Sequence, residues 1–90
     1  MSAERVLKIV NEKGLHARAS AKFVEVVESF DAEAEVEKDG MSVSGDSIMG
    51  LLMLAASRGT EISVSTSGTQ SEDLLTALSK LVADNFGEPF

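Results

Sequence analysis

The sequence predicts an α+β fold: an open-faced two-layer β-sandwich in the order β-α-β-β-α-β-α. Three observations predict it. The stretches 32–38 and 60–67 alternate between apolar and polar residues, as half-buried strands do. The stretches from Ala17 and from Leu74 instead repeat their apolar residues at helical spacing. The connections are short, with no linker or internal repeat, and 90 residues suit one small domain over 1–90. Strands with one wet face require helices on the other, which gives a mostly antiparallel two-layer sandwich.

The elements follow in order. Arg5 to Val10 (RVLKIV) is β-branched and apolar and reads as the first strand. Asn11 to Gly14 is a polar loop ending in glycine. From Ala17 the residues Ala19, Phe23, Val26 (with Val27) and Phe30 form one helical face. In Ala32 to Lys38, Ala32, Ala34 and Val36 face one way and Glu33, Glu35 and Glu37 the other. Asp39-Gly40 suits a tight hairpin turn, and Met41 to Ser44 is the return strand. Gly45-Asp46-Ser47 breaks the chain before a strongly apolar helix over Ile48 to Ser57, with Gly59 at its C′ position. Thr60 to Ser67 alternates again, with Ile62, Val64 and Thr66 inward. Thr69-Gln70-Ser71-Glu72 fits a capping box, and Leu74, Leu78, Leu81 (with Val82) and Phe86 form the last stripe. The tail from Gly87 to Phe90 is expected to fray. The first β-α-β crossover is expected to be right-handed, while periodicity leaves strand order open.

Composition excludes several classes. Without cysteine there is no disulfide framework, thiolate nucleophile or cysteine-based zinc site. A single histidine excludes a multi-histidine metal site within one chain. A net charge of −7 argues against a nucleic-acid partner. MSAERVLK lacks the apolar run of a signal peptide, and Ile48 to Ala56 is too short to span a bilayer. A cytoplasmic protein without membrane insertion is the expectation.

The charge is uneven. Arg5, Lys8, Lys13, Arg18 and Lys22 stand against Glu12 alone in the first stretch, whereas seven acids face only Lys38 between Glu25 and Asp39. The only histidine, His16, lies within the basic stretch, which suggests a local preference for an anion.

Gly14-Leu15-His16-Ala17-Arg18 carries the chemistry. Histidine stands at the expected helix start, where unpaired amides and the helix dipole make an anion site. There an imidazole can act as a nucleophile towards phosphorus. The first-turn amides and the Arg18 guanidinium would receive the new oxygens. The dipole discourages protonation of His16 and keeps a lone pair available. The sequence shows no acid–base partner beside it, which suits passing a group along better than turning over a small molecule. A lone histidine at a helix start is also commonly a solvated side chain with no role, and spacing leaves both readings open.

Gly-Leu-His-Ala-Arg after an N-terminal strand, with Ser47-Ile48-Met49-Gly50 opening the second helix, resembles the HPr family. These are the histidine-containing phosphocarriers of the bacterial phosphoenolpyruvate-dependent phosphotransferase system. The resemblance runs from Arg5 to Phe86. It implies a four-stranded antiparallel sheet of order 1-4-2-3 with three helices on one face. It implies that His16 is phosphorylated on Nδ1 by Enzyme I and that the phosphoryl group passes to a IIA-type domain. Arg18 and the amides of Ala17 and Arg18 would steady the phosphate. Ser47 matches a serine that a dedicated kinase/phosphatase modifies in some bacteria, and it is also a favoured helix N-cap. Ser20, Ile48, Met49, Leu52 and Met53 would line the partner surface, with Ile48 and Met49 the first choices for exposure. No metal or organic cofactor is implied, and a monomer is the family expectation.

Two features depart from the family pattern. Ala19 stands where the family usually has proline, which keeps the helix and restores an amide N–H. Glu25 and Glu28 stand on the outer face of the first helix, where basic residues would suit an acidic Enzyme I. The first admits a regulatory, nitrogen-related branch, and the second suggests a partner with a different charge pattern that would not cross-react with other systems' enzymes. Two alternatives to a carrier remain: a regulatory module that binds partners according to phosphorylation state, and an interaction domain with an idle histidine.

Overall fold

A computed structural model of the chain describes residues 1–90. Strands β1 (Ser2–Lys8), β2 (Glu33–Lys38), β3 (Met41–Ser44) and β4 (Glu61–Ser67) form one sheet of order β1-β4-β2-β3. Every pairing is antiparallel. Helices α1 (Ala17–Glu28), α2 (Ile48–Met53) and α3 (Ser71–Ala83) complete the fold.

Alternation sets the two sheet faces. Ala34, Val36, Ile62, Val64 and Thr66 are buried beneath the helices, while Glu33, Glu35, Glu37 and Glu61 are exposed. Register carries this across strands, since Val36 pairs with both Val43 and Val64, so a slip by one residue would turn β2 inside out. Asp39 (φ 51°) and Gly40 (φ 84°) are both left-handed, as a two-residue hairpin turn requires. The helices contribute Phe23, Val27, Leu51, Leu74, Leu78 and Val82 to the same core.

Several boundaries differ from the sequence pattern. β1 begins at Ser2 and ends at Lys8, because its partner β4 supplies bonding groups from Glu61 to Ser67. Ile9 continues irregularly, bonding Thr60 and Gly59 through its main chain, and Val10 turns outward. In α1 the buried set is Ala19, Ser20, Phe23, Val24 and Val27, with Val26 and Phe30 only partly covered. In α3 Leu75 joins Leu74, Leu78 and Val82, and Leu81 is partly covered.

α2 ends at Met53, short of Ser57, because Ala55 takes the left-handed conformation (φ 51°) just past the Leu54 cap. Gly59 is therefore not its C′ residue and lies in the turn leading into β4. Thr69 does not form a capping box. Gln70 is the N-cap of α3 without a side-chain cap bond, and its Oε1 accepts from the Asp31 amide at 2.7 Å. Phe86 is not on α3 but in a left-handed turn over Asn85–Gly87 (φ 58°, 55° and 79°), where its ring is fully buried.

That turn also prevents the tail from fraying. Lys22 Nζ donates to the Phe86 carbonyl at 2.8 Å, and the Glu12 amide donates to the Phe90 carbonyl at 3.1 Å. The chain thereby folds back along the loop that precedes α1.

Candidate functional site

The loop from Asn11 to Gly14 positions the site. Gly14 has φ +65°, and a Cβ there would stand 2.5 Å from the Ala56 carbonyl oxygen. Only glycine fits both the backbone angle and that approach. The Leu15 amide then donates to the same carbonyl at 2.9 Å, which pins the entry to α1.

His16 follows in an extended conformation (φ −79°, ψ −176°) and is the N-cap of α1. Its Nδ1 accepts from the Arg18 amide at 3.3 Å. On the other side of the ring, Nε2 is hydrogen-bonded to Glu88 Oε2. An ionised carboxylate only accepts, so Nε2 carries the proton and Nδ1 carries the lone pair. The imidazole is thus held at both nitrogens, with its lone-pair nitrogen over the helix start.

Glu88 is itself held. Asn11 is fully buried, and its Nδ2 donates to the Gly14 carbonyl at 2.9 Å and to Glu88 Oε1 at 3.0 Å. The Glu88 side chain is only 10% exposed. Burial by itself would raise its carboxyl. Hydrogen bonds from Asn11 and His16, the positive charge His16 can carry and nearby Lys13 outweigh that and hold it below the ordinary value.

The first turn of α1 offers donors. The amides of Ala17 and Ala19 make no hydrogen bond, and that of Arg18 is given to His16 itself. The Arg18 side chain is exposed and engages no other group. The wider basic stretch does not converge here: Arg5 donates to Ser79 and Lys22 to the Phe86 carbonyl. Two concavities lie on the open sheet face and between β1 and α3, and His16 lines neither.

Ser47 is the N-cap of α2, and its Oγ accepts from the Gly50 amide at 3.0 Å. Beside it, Asp46 accepts from the Ser44 hydroxyl. α2 exposes Met49 (71%) and Met53 (65%) most, and Ile48 (40%) and Leu52 (36%) are exposed beside them, so Met53 joins the expected pair of Ile48 and Met49. Its inward residues are Leu51 and Leu54. Ser20 is not on the surface: it is fully buried, with its hydroxyl donating to the Leu15 carbonyl at 3.3 Å.

Sequence reasoning missed Glu88 and Asn11, and with them the partner of His16. One signal was available. Asn85 and Gly87, both tolerant of left-handed backbone, flank apolar Phe86, a pattern consistent with a chain reversal. Nothing in the pattern pairs Glu88 with a residue 72 positions away.

An open-faced sandwich with three helices, the first capped by an imidazole, is of the phosphocarrier class rather than that of a stand-alone enzyme. Residues 3–84 match the family model PTS-HPr, described as the PTS HPr component phosphorylation site. The chain belongs to the HPr family of phosphotransferase-system phosphocarriers. It is 45% identical over 82 residues to phosphocarrier protein HPr of Neisseria meningitidis, covering 91% of this chain and 92% of that one. It is 35% identical to phosphocarrier protein NPr of Escherichia coli, over 98% and 99% of the two chains. The solved structure of HPr-C-His from Thermoanaerobacter tengcongensis superposes with a TM-score of 0.93 at 38% identity, covering 98% and 99%.

Proposed function

We propose that His16 accepts a phosphoryl group on Nδ1 from the phosphohistidine of Enzyme I and passes it to a IIA-type domain. The single observation that carries this is the orientation of the ring: Nδ1 caps α1 beside the unengaged amides of Ala17 and Ala19, and Nε2 is turned away. Arg18 supplies the charge that neutralises the phosphate. Ala19, in the usual proline position, adds an amide donor to that set. No helix is long and apolar enough to cross a membrane.

The protein incubated with phosphoenolpyruvate and its cognate Enzyme I is expected to gain one phosphate that is acid-labile and base-stable. His16→Ala is expected to gain none. An unmodified wild type would sink the carrier reading. Onward movement of the label to a IIA-type domain separates a carrier from a regulatory module.

The exposed Met49 and Met53 beside Ser47 favour a second, compatible role as a regulated docking surface. A phosphate on Ser47 would place charge at the edge of that apolar patch and slow transfer at His16. Matching transfer rates for wild type and Ser47→Asp would count against it.

A further inference from the structure

We propose that Glu88, carried back to His16 by the C-terminal tail, is a positioning residue for phosphoryl transfer: it fixes the Nε2–H form of the ring and stabilises the imidazolium formed when phosphorus bonds to Nδ1. The inference rests on the phosphocarrier reading of His16.

The contact is built rather than incidental. The tail is anchored by the buried Phe86 ring, by Lys22 on the Phe86 carbonyl and by the Glu12 amide on the Phe90 carbonyl. Both oxygens of Glu88 are engaged, Oε1 by the buried Asn11 amide and Oε2 by His16. With the carboxylate so fixed, the ring cannot flip without losing both bonds, because Cε1 would then face Glu88 and Cδ2 the Arg18 amide.

The chemistry gives this bond a purpose. As Nδ1 attacks, its lone pair forms the N–P bond. The donor's bond to phosphorus breaks, and that electron pair leaves with the donor nitrogen. Nε2 keeps its proton, so the ring passes from neutral to cationic. A carboxylate at Nε2–H is then bonded to a charged donor, which is the stronger interaction. The stabilisation is larger in the product and in the transition state than in the resting protein, as a rate effect requires.

The test uses the whole chain and phosphoramidate, a small donor that leaves as ammonia, so no partner protein is involved. Ring nitrogens are followed by 15N NMR and His16 phosphorylation by mass. In the wild type Nε2 is expected to be the protonated nitrogen. Glu88→Ala is expected to raise the Nδ1–H population and slow phosphorylation about tenfold, a typical value for a hydrogen bond to a charged group. Glu88→Gln retains one acceptor oxygen, enough for Nε2–H, while its NH2 group faces the Asn11 amide and gives up that bond. It is expected to restore the tautomer but not the full rate, which separates orientation from charge and serves if the alanine variant folds poorly. A wild-type ring protonated at Nδ1, or a Gln variant as fast as wild type, would overturn the assignment. Should phosphoramidate modify His16 when Enzyme I does not, the carrier reading fails while the role of Glu88 is still measured.

Discussion

The starts of α1 and α2 use the same local device for different ends. Each is capped by the side chain that precedes the helix, His16 on the Arg18 amide and Ser47 on the Gly50 amide. Each has a carboxylate close by. At α1 it is Glu88, brought from the far end of the chain and set on the ring nitrogen away from the helix. At α2 it is Asp46, the adjacent residue, which accepts from Ser44 and not from the cap. The first arrangement leaves a lone pair directed to the helix start. The second leaves a hydroxyl on a short helix whose outer side is apolar. The N-cap supplies an anion-tolerant place, and the third group decides how the capping side chain is oriented in it.

The largest test of this contrast is His16→Ala against Ser47→Ala. The first is expected to abolish phosphoryl acceptance and the second to leave it unchanged, as mass measurement with phosphoenolpyruvate and Enzyme I would show. Next comes Gly14→Ala, which strains a left-handed backbone and meets the Ala56 carbonyl. It is expected to cost ~2 kcal/mol or more in urea unfolding and to displace His16. Ser47→Ala removes one cap bond, and a loss of about 1 kcal/mol is expected in the same measurement.

The smallest effect is a pH dependence. The Glu88 carboxyl lies below its ordinary value of 4.5 in the folded protein. The bonds it makes therefore add stability above that pH, and the contribution is lost as pH falls from 4.5 through the lowered value. Wild type is expected to exceed Glu88→Gln in stability at neutral pH by ~1 kcal/mol, with the gap closing in acid. A gap that widened below pH 4.5 would contradict the assignment.

Much of the fold was legible before any coordinates. The alternation of Glu33–Lys38 and Glu61–Ser67 reports which side meets the core, and the Asp39-Gly40 turn is a two-residue choice of backbone angles. Where neighbouring competition mattered, local signals failed. Gly59 looked like a helix terminator, yet Ala55 ended α2 earlier. Thr69 looked like a cap, yet Gln70 held that place and bonded Asp31 across the fold. Ser20 sat one turn beyond His16 in sequence, yet helical rotation buried it.

The sequence by itself singled out the candidate acceptor and its local setting. With one imidazole and no thiol, placed after Gly14 at a helix start, the candidate atom had no competitor. Tertiary structure alone decided what stands behind that atom. Glu88 reaches His16 only because the Asn85–Gly87 turn reverses the chain, Phe86 fills the core and Lys22 holds the return. Periodicity describes how one element faces the interior, but a meeting of residues 16 and 88 depends on every element packed between them.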